Sequence, residues 1–287
     1  MPSPIAFYKY HALGNDYIVL NPTEVQASLN ESQIKTICHR HLGIGSDGIL
    51  LGPLDPAAAD CDFSLRIFNP DGSEAEKSGN GLRIFTRYLW DKGMIQHDPV
   101  RIQTAGGPVT ARIRKQGKIV SVNMGKVSFD SRHIPVKGPA REVINESMAV
   151  DGYEFIFCAA TIGNPHCVIL KQEISAEQAR KFGPLIENDP RFPNRTNVQF
   201  MKILDRTNIQ LEIWERGAGY TLASGSSSSA AAAVAFKLGL CDGAITVHMP
   251  GGELDIEISN DFEISMTGSV TRVAEGIIDP EMFEGIN

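Results

Sequence analysis

Lys77-Ser78-Gly79-Asn80-Gly81, followed by Leu82-Arg83-Ile84-Phe85, and Ala223-Ser224-Gly225-Ser226-Ser227, leading to Ala230-Ala231-Ala232-Ala233, are two versions of one pattern. In each, a serine precedes a glycine-led polar turn that opens a helix-forming run. Its hydroxyl is thereby set beside helix N-terminal N–H groups that have no intrahelical acceptor. Ser224 lies 146 positions after Ser78, and at the same offset Ile67-Phe68-Asn69 meets Ile213-Trp214-Glu215 without a gap. A second echo, Gly14-Asn15-Asp16 against Gly163-Asn164-Pro165-His166, separates Asn15 from Asn164 by 149 positions. Self-similarity at half the chain length predicts two like domains, with the cleft between them as the place for a ligand.

Working outward, Ile5 to Tyr10 and Tyr17 to Leu20 alternate as strands about a turn at Gly14-Asn15-Asp16. A helix is predicted over Ser32 to His41, capped near Asn30, and Gly43 to Leu51 reads as a glycine-rich turn feeding a buried strand. That turn matches GxGxxG formally, but it follows a helix and opens a strand, the reverse of the order a dinucleotide site needs. Phe63 to Asn69 is a predicted strand, Asn69-Pro70-Asp71-Gly72 a turn, and Gly79 to Trp90 a helix. Val100 to Gln103, Val109 to Arg114 and Ile119 to Met124 suggest an antiparallel meander instead of βαβ units. The Pro- and Gly-containing segment from about Ser128 to Pro139 marks the boundary between halves, and Phe155 to Thr161 restarts a strand. The expected domains are 1–127, joined by 275–287, and 128–274.

Composition narrows the function classes. The 287 residues are 42% hydrophobic and 21% charged, ordinary for a soluble globular protein. A net charge of −7 with no Lys/Arg block argues against nucleic acid. There is no 18-residue apolar run for a membrane span and no basic-then-apolar leader in Met1 to Lys9, so a cytoplasmic location is expected. Cys38, Cys61, Cys158, Cys167 and Cys241 are odd in number and scattered, which points to reduced thiols. His39 and His41 beside Cys38 lack a second ligand cluster, so no metal is expected there.

A carboxylate lying between the two helix ends would receive N–H groups from Gly79 and Asn80 on one side and from Gly225 and Ser226 on the other. Each helix end acts as roughly half a positive charge, enough together to offset the carboxylate and the enolate-like charge formed when its α-proton leaves. Ser78 and Ser224 would then face opposite sides of the α-carbon, one for removal of a proton and one for its return, with inversion as the result.

With His11-Ala12-Leu13-Gly14-Asn15-Asp16, Arg40-His41-Leu42-Gly43-Ile44-Gly45-Ser46-Asp47-Gly48, Gly163-Asn164-Pro165-His166-Cys167, Asn197-Val198-Gln199-Phe200 and Trp214-Glu215-Arg216-Gly217-Ala218-Gly219 all in order, the chain resembles the diaminopimelate epimerases. The resemblance implies an α+β protein of two pseudo-symmetric domains, each a mainly antiparallel sheet wrapped around a central helix. It also implies cofactor-independent two-base inversion of a free amino acid, with LL- to meso-diaminopimelate the expected reaction in lysine biosynthesis. Homodimers are typical of that family. Asn15, Asn69, Asn164, Asn197, Glu215 and Arg216 stand where the family binds the substrate's amino and carboxylate groups, and His166 and Tyr220 are candidate supporting residues.

Departures from the family pattern fall on the chemistry. The two catalytic thiols of the family correspond to Ser78 and Ser224, Tyr220 replaces a usual glutamate, and Gly48 stands where a glutamine is common. A thiol near pKa 8.5 gives a few per cent thiolate at neutral pH, and a helix N-terminus raises that fraction. A serine hydroxyl is a far weaker acid and needs a neighbouring base. Three readings follow: an epimerase slowed by replaced thiols, a scaffold diverged to another racemase or dehydratase with histidine among its substrates, or an amino-acid-binding protein without catalysis.

Overall fold

A two-residue hairpin sets the N-terminal pairing. Leu13 (φ 55°) and Gly14 (φ 86°) both take left-handed backbone, so Ala12 pairs with Asn15 and the strands run antiparallel. The computed structural model describes residues 5–24 and 29–284, so Met1–Pro4 of the stretch Met1 to Lys9 and Gly285–Asn287 of the segment 275–287 lie outside the described residues. In the first half the elements are β1 (Ile5–Ala12), β2 (Asn15–Leu20), α1 (Glu31–Cys38), β3 (Ile49–Leu54), β4 (Phe63–Phe68), β5 (Glu74–Ala75), α2 (Gly79–Asp91), β6 (Val100–Thr104), β7 (Gly107–Arg114) and β8 (Ile119–Lys126). The second half has β9 (Glu146–Val150), β10 (Tyr153–Thr161), β11 (Pro165–Leu170), α3 (Ala176–Glu187), β12 (Asn197–Asp205), β13 (Asn208–Glu215), β14 (Gly219–Thr221) and α4 (Gly225–Lys237). It closes with β15 (Ala244–Met249), β16 (Gly252–Ile258), β17 (Glu263–Ser269) and β18 (Thr271–Ile278).

The chain divides into two units, Met1–Val122 with Gly268–Asn287, and Asn123–Thr267. Their strand orders are the same. In unit 1, β18 pairs with β1, which pairs with β2, and the sheet continues through β3, β4, β6 and β7 to residues 119–122 of β8. In unit 2 the sequence β9, β10, β11, β12, β13, β15, β16, β17 repeats it. The C-terminal strand belongs to the first unit because β18 fills the edge of β1 that corresponds to the place of β9 on β10.

The antiparallel meander holds for β6 to β8, but β2 with β3 and β4 with β6 are parallel, as are β11 with β12 and β13 with β15. Parallel neighbours cannot be joined by a tight turn. Each parallel step in unit 1 is therefore bridged by one helix, α1 and then α2, and unit 2 uses α3 and α4 in the same way.

The two helices of a unit do different jobs. Gly79–Thr86, Tyr88 and Leu89 of α2 are buried, as are Gly225 and Ser227–Ala235 of α4, so both helices are covered on every side. Each unit is thus a mainly antiparallel sheet curled round a central helix. Tyr8 and Tyr10 of β1 meet Tyr88 of α2 at ring-centroid distances of 5.1 and 6.5 Å. On the other face of this sheet α1, held by an Asn30/Gln33 capping box, buries Ile34, Ile37 and Cys38 against Ile18, Leu20, Ile49, Phe68 and Ile278. In unit 2, α3 buries Ala179, Phe182 and Ile186 against Phe155, Cys167, Val198 and Phe200. Each large side chain so buried contributes roughly 1.5–3 kcal/mol. The segment from Ser128 to Pro139 is packed: Ile134 and Val136 join the α3-side core, and the Ser131 N–H donates to the Arg141 carbonyl at 2.9 Å. No helix among the described residues is long and apolar enough to cross a membrane.

Candidate active site

Both serines are N-caps in extended backbone, Ser78 at φ −140°, ψ 118° and Ser224 at φ −145°, ψ 125°. The Gly81 N–H donates to Ser78 Oγ at 3.0 Å, and the Ser227 N–H donates to Ser224 Oγ at 3.4 Å. Each cap satisfies the third N–H of its helix and leaves those of Gly79 and Asn80, or of Gly225 and Ser226, without an intrahelical acceptor. Ser78 has a second partner, the Tyr17 hydroxyl at 3.2 Å.

At the mouth of α2 the polar side chains form a chain of fixed amides. Arg83, fully buried on the central helix, donates to Asn80 Oδ1, so Asn80 Nδ2 donates to Asn15 Oδ1 at 3.0 Å. Asn15 Nδ2 in turn donates to Asp47 Oδ2 at 2.9 Å. Arg40 bridges Asp47 and Asp16 at 2.6 and 2.8 Å, and Lys9 reaches Asp16 at 3.0 Å. Burial works against the Asp16 carboxylate, but hydrogen bonds from Arg40 and Lys9 hold it below the usual carboxylate range. Asn15 and Asn80 therefore meet beside Ser78, with both amide orientations set by charged neighbours. Asn69 closes its own turn: its Nδ2 donates to Ser73 Oγ at 2.9 Å, and the Gly72 N–H donates to its carbonyl at 3.0 Å.

At the mouth of α4 the organising group is His166, which has no exposed surface. Asn164 Oδ1, 2.9 Å from His166 Nε2, can only accept, so Nε2 carries the proton and Nδ1 accepts from Gln199 Nε2 at 3.2 Å. Burial, with the Arg216 charge adding to it, pushes the imidazole down to about 3, and the ring is neutral at physiological pH. Gln199 also donates to Ser227 Oγ at 3.0 Å, and Asn164 Nδ2 donates to Ser226 Oγ at 3.4 Å. His166 is thus tied to the helix end at Ser226 and Ser227, not to Ser224.

Asn197 works on the turn beside this cluster. Its Nδ2 donates to the Pro165 carbonyl at 2.8 Å, and its Oδ1 accepts the Arg216 N–H at 3.0 Å. Buried Glu187 takes the Gly217 N–H at 3.0 Å and Trp214 Nε1–H at 2.7 Å, which fixes the Glu215-Arg216-Gly217 corner. Glu215 accepts from Thr221 at 3.2 Å, and Arg216 donates to the Asn194 carbonyl at 2.9 Å.

Tyr220 stands elsewhere. It pairs with Trp214 across β13 and β14, on the sheet face opposite Glu215, and it packs in the α3-side core. Its hydroxyl donates to Glu212 at 2.6 Å, Arg180 of α3 lies 4.0 Å from its ring centre, and burial with that carboxylate pushes the phenol up to about 12. Tyr220 therefore does not support Ser224 directly.

The five thiols offer no substitute for the serines. All are free and buried, and burial raises every one of them. His39 Nδ1 accepts the N–H groups of His41 and Leu42, each at 3.1 Å, which makes it a turn acceptor. Among the described residues no three His, Cys, Asp or Glu side chains gather as a metal ion would require. Tyr17, Arg83, Asp47, Glu187 and Gln199 are the residues that sequence reasoning left out. The signal for Tyr17 was present: the offset relating Asn15 to Asn164 also relates Tyr17 to His166.

A family model described as diaminopimelate epimerase matches residues 7–129 and 158–273. The chain is 66% identical over 277 residues to "Diaminopimelate epimerase 2" of Nostoc sp., covering 96% of each protein. It is 41% identical over 275 residues to the diaminopimelate epimerase of Pseudomonas syringae pv. tomato, covering 95% of this chain and 98% of that one. Among solved structures, a probable proline racemase from Agrobacterium radiobacter superposes with a TM-score of 0.73 at 15% identity, covering 98% and 95% of the two chains, a likeness of fold.

Proposed function

Because the chain belongs to the diaminopimelate epimerase family, we propose that it is an isomerase that inverts the α-carbon of a free amino acid without a cofactor, converting LL- to meso-diaminopimelate. The observation that best supports this reading is the pair of serine-capped central helices, each with asparagine side chains at its mouth. First-turn N–H groups suit the substrate carboxylate and the enolate that forms from it. Asn15 and Asn80 in unit 1, and Asn164 with the Asn197-positioned Arg216 in unit 2, supply fixed polar groups for the substrate's charged ends. Ser78 and Ser224 take the two proton-transfer roles.

The serines set the rate. The N–H donor at each cap favours a partial negative charge on Oγ, but a hydroxyl so placed is still mostly protonated where a thiol would be partly ionised. Turnover by this chain is slow, and restoring thiols raises it. Solvent-deuterium exchange at the α-carbon of diaminopimelate, compared between this chain and the Ser78→Cys, Ser224→Cys double variant, should show a gain of about 10²-fold or more. Absence of exchange by both proteins would remove the isomerase reading.

A further inference from the structure

Two lone pairs and one proton define what a serine hydroxyl can do, and at Ser78 their uses are visible. One lone pair takes the Gly81 N–H at 3.0 Å. The Tyr17 hydroxyl lies 3.2 Å away, and in that pair either oxygen can be the donor. Tyr17 is only 7% exposed, its ring lies against Gly48, and it comes from β2, so the phenol is held on the α2 face of the sheet by the strand and not by a loop. The two senses of this hydrogen bond correspond to the two roles the proposed reaction needs at one half-site.

We propose that Tyr17 is the proton partner of Ser78, a positioning residue that lets the serine act as acid or base at the mouth of α2; the inference rests on the isomerase reading above. In the acid sense Tyr17 O–H donates to Ser78 Oγ and the serine hydrogen is directed outward. The Oγ–H bond breaks as the carbanion's electron pair forms the new Cα–H bond, the phenolic proton moves to Oγ, and the phenolate remains. In the base sense the phenolate takes the serine proton while Oγ takes the α-proton, and the Cα–H electron pair passes into the substrate carboxylate as an enolate. Solvent returns or removes the phenolic proton between turnovers. A phenol is a far stronger acid than an alcohol, so the charge rests on Tyr17 and no free serine alkoxide is required.

Unit 2 lacks this arrangement. The residue equivalent to Tyr17 at the 149-residue offset is His166, whose ring nitrogens engage Asn164 and Gln199. Among the described residues the Ser224 hydroxyl is bonded to the Ser227 N–H alone.

The test starts from the Ser224→Cys protein, in which one thiol makes exchange measurable while Ser78 still serves the other half. Tyr17→Phe, which keeps the ring and removes only the hydroxyl, should lower kcat for α-deuterium exchange about 10²-fold there with little change in KM. In the Ser78→Cys, Ser224→Cys background the same change should cost at least tenfold less, because a thiol needs no relay. Equal losses in the two backgrounds, or no loss in the first, would overturn the relay. If the double-thiol protein exchanges and the Ser224→Cys protein with Tyr17 intact does not, the relay fails and the isomerase reading stands. Silence of the double-thiol protein rejects both.

Discussion

The central helices α2 and α4 hold equivalent places in two units of the same strand order, yet they are built from opposite materials. α2 fills its surroundings from the helix outward with Leu82, Arg83, Ile84, Phe85, Tyr88 and Leu89, all at 0% exposure. α4 presents Ser227, Ser228, Ser229 and five alanines at 0% exposure, and the strands reach in to it: Met249 Sδ accepts from Ser228 Oγ at 3.2 Å. The difference teaches that topology fixes the helix position and its N-cap, while the volume between helix and sheet can be supplied from either side.

That contrast breaks in opposite ways in the two units. Phe85→Ala should open a cavity in unit 1 and cost about 3–5 kcal/mol, because the surrounding side chains cannot collapse onto a truncated helix residue. Ala232→Leu should strain unit 2 by about 1–3 kcal/mol, since the added carbons meet a helix covered on every side. Hydrogen exchange of the core amides in the unit concerned measures both. A tolerated Ala232→Leu would show that the strands around α4 are loosely packed, and the distinction between the helices would be lost.

The duplication was the most legible feature because it is local: a cap serine, a glycine and a helix-forming run are neighbours in sequence, and their chemistry follows from helix geometry alone. The parallel steps were less legible. A short apolar strand reads alike whether its partner runs with it or against it, and α1 and α2 became crossovers only once β2 met β3 and β4 met β6. The chain from Arg83 through Asn80, Asn15 and Asp47 to Arg40 was hidden because each partner is ordinary by itself and the links span 3 to 65 positions. Tyr220 shows that closeness in sequence does not fix the face. It is close in sequence to Glu215, but strand alternation turns it to the α3 face, where Arg180 and Glu212 engage it.

The mouths of the two central helices differ in their response to acid, because only that of α4 is organised by a buried imidazole. His166 is fully buried and its imidazole is pushed down to about 3, against an ordinary value near 6.5 in the unfolded chain. Between those values the unfolded chain binds the extra proton, so the stabilisation present above 6.5 is lost progressively as pH falls toward 3. Between pH 7 and pH 5 the loss should be about 2 kcal/mol, set by the unfolded-state value so long as the folded one lies well below 5. Urea unfolding of the parent and of His166→Gln at the two pH values isolates it, since only the parent carries this slope. Unit 1 has no imidazole at the equivalent position. A parent no more acid-sensitive than the variant would mean that His166 is charged in the folded protein.

The smallest effect separates the caps themselves. Ser78 accepts from Gly81 at 3.0 Å, the centre of the range for an N–H···O bond, whereas Ser224 accepts from Ser227 at 3.4 Å, beyond its usual outer limit. Ser78→Ala should therefore cost about 1 kcal/mol, the ordinary worth of an N-cap, and Ser224→Ala about half of that. Two further terms push the same way. Losing Ser78 also takes a partner from the Tyr17 hydroxyl, whereas Ser224 is 4% exposed and its hydroxyl has a single weak bond among the described residues, so a methyl group there forfeits little and spares the burial of a poorly satisfied hydroxyl. Hydrogen exchange of the Gly81 and Ser227 amides reads each cap at its own donor. Faster exchange at Gly81 in Ser78→Ala, with a lesser change at Ser227 in Ser224→Ala, would place the stronger cap in unit 1. Equal changes would mean that the longer contact is as good a cap as the shorter, and the asymmetry of the two mouths would then rest on Tyr17 and His166 alone.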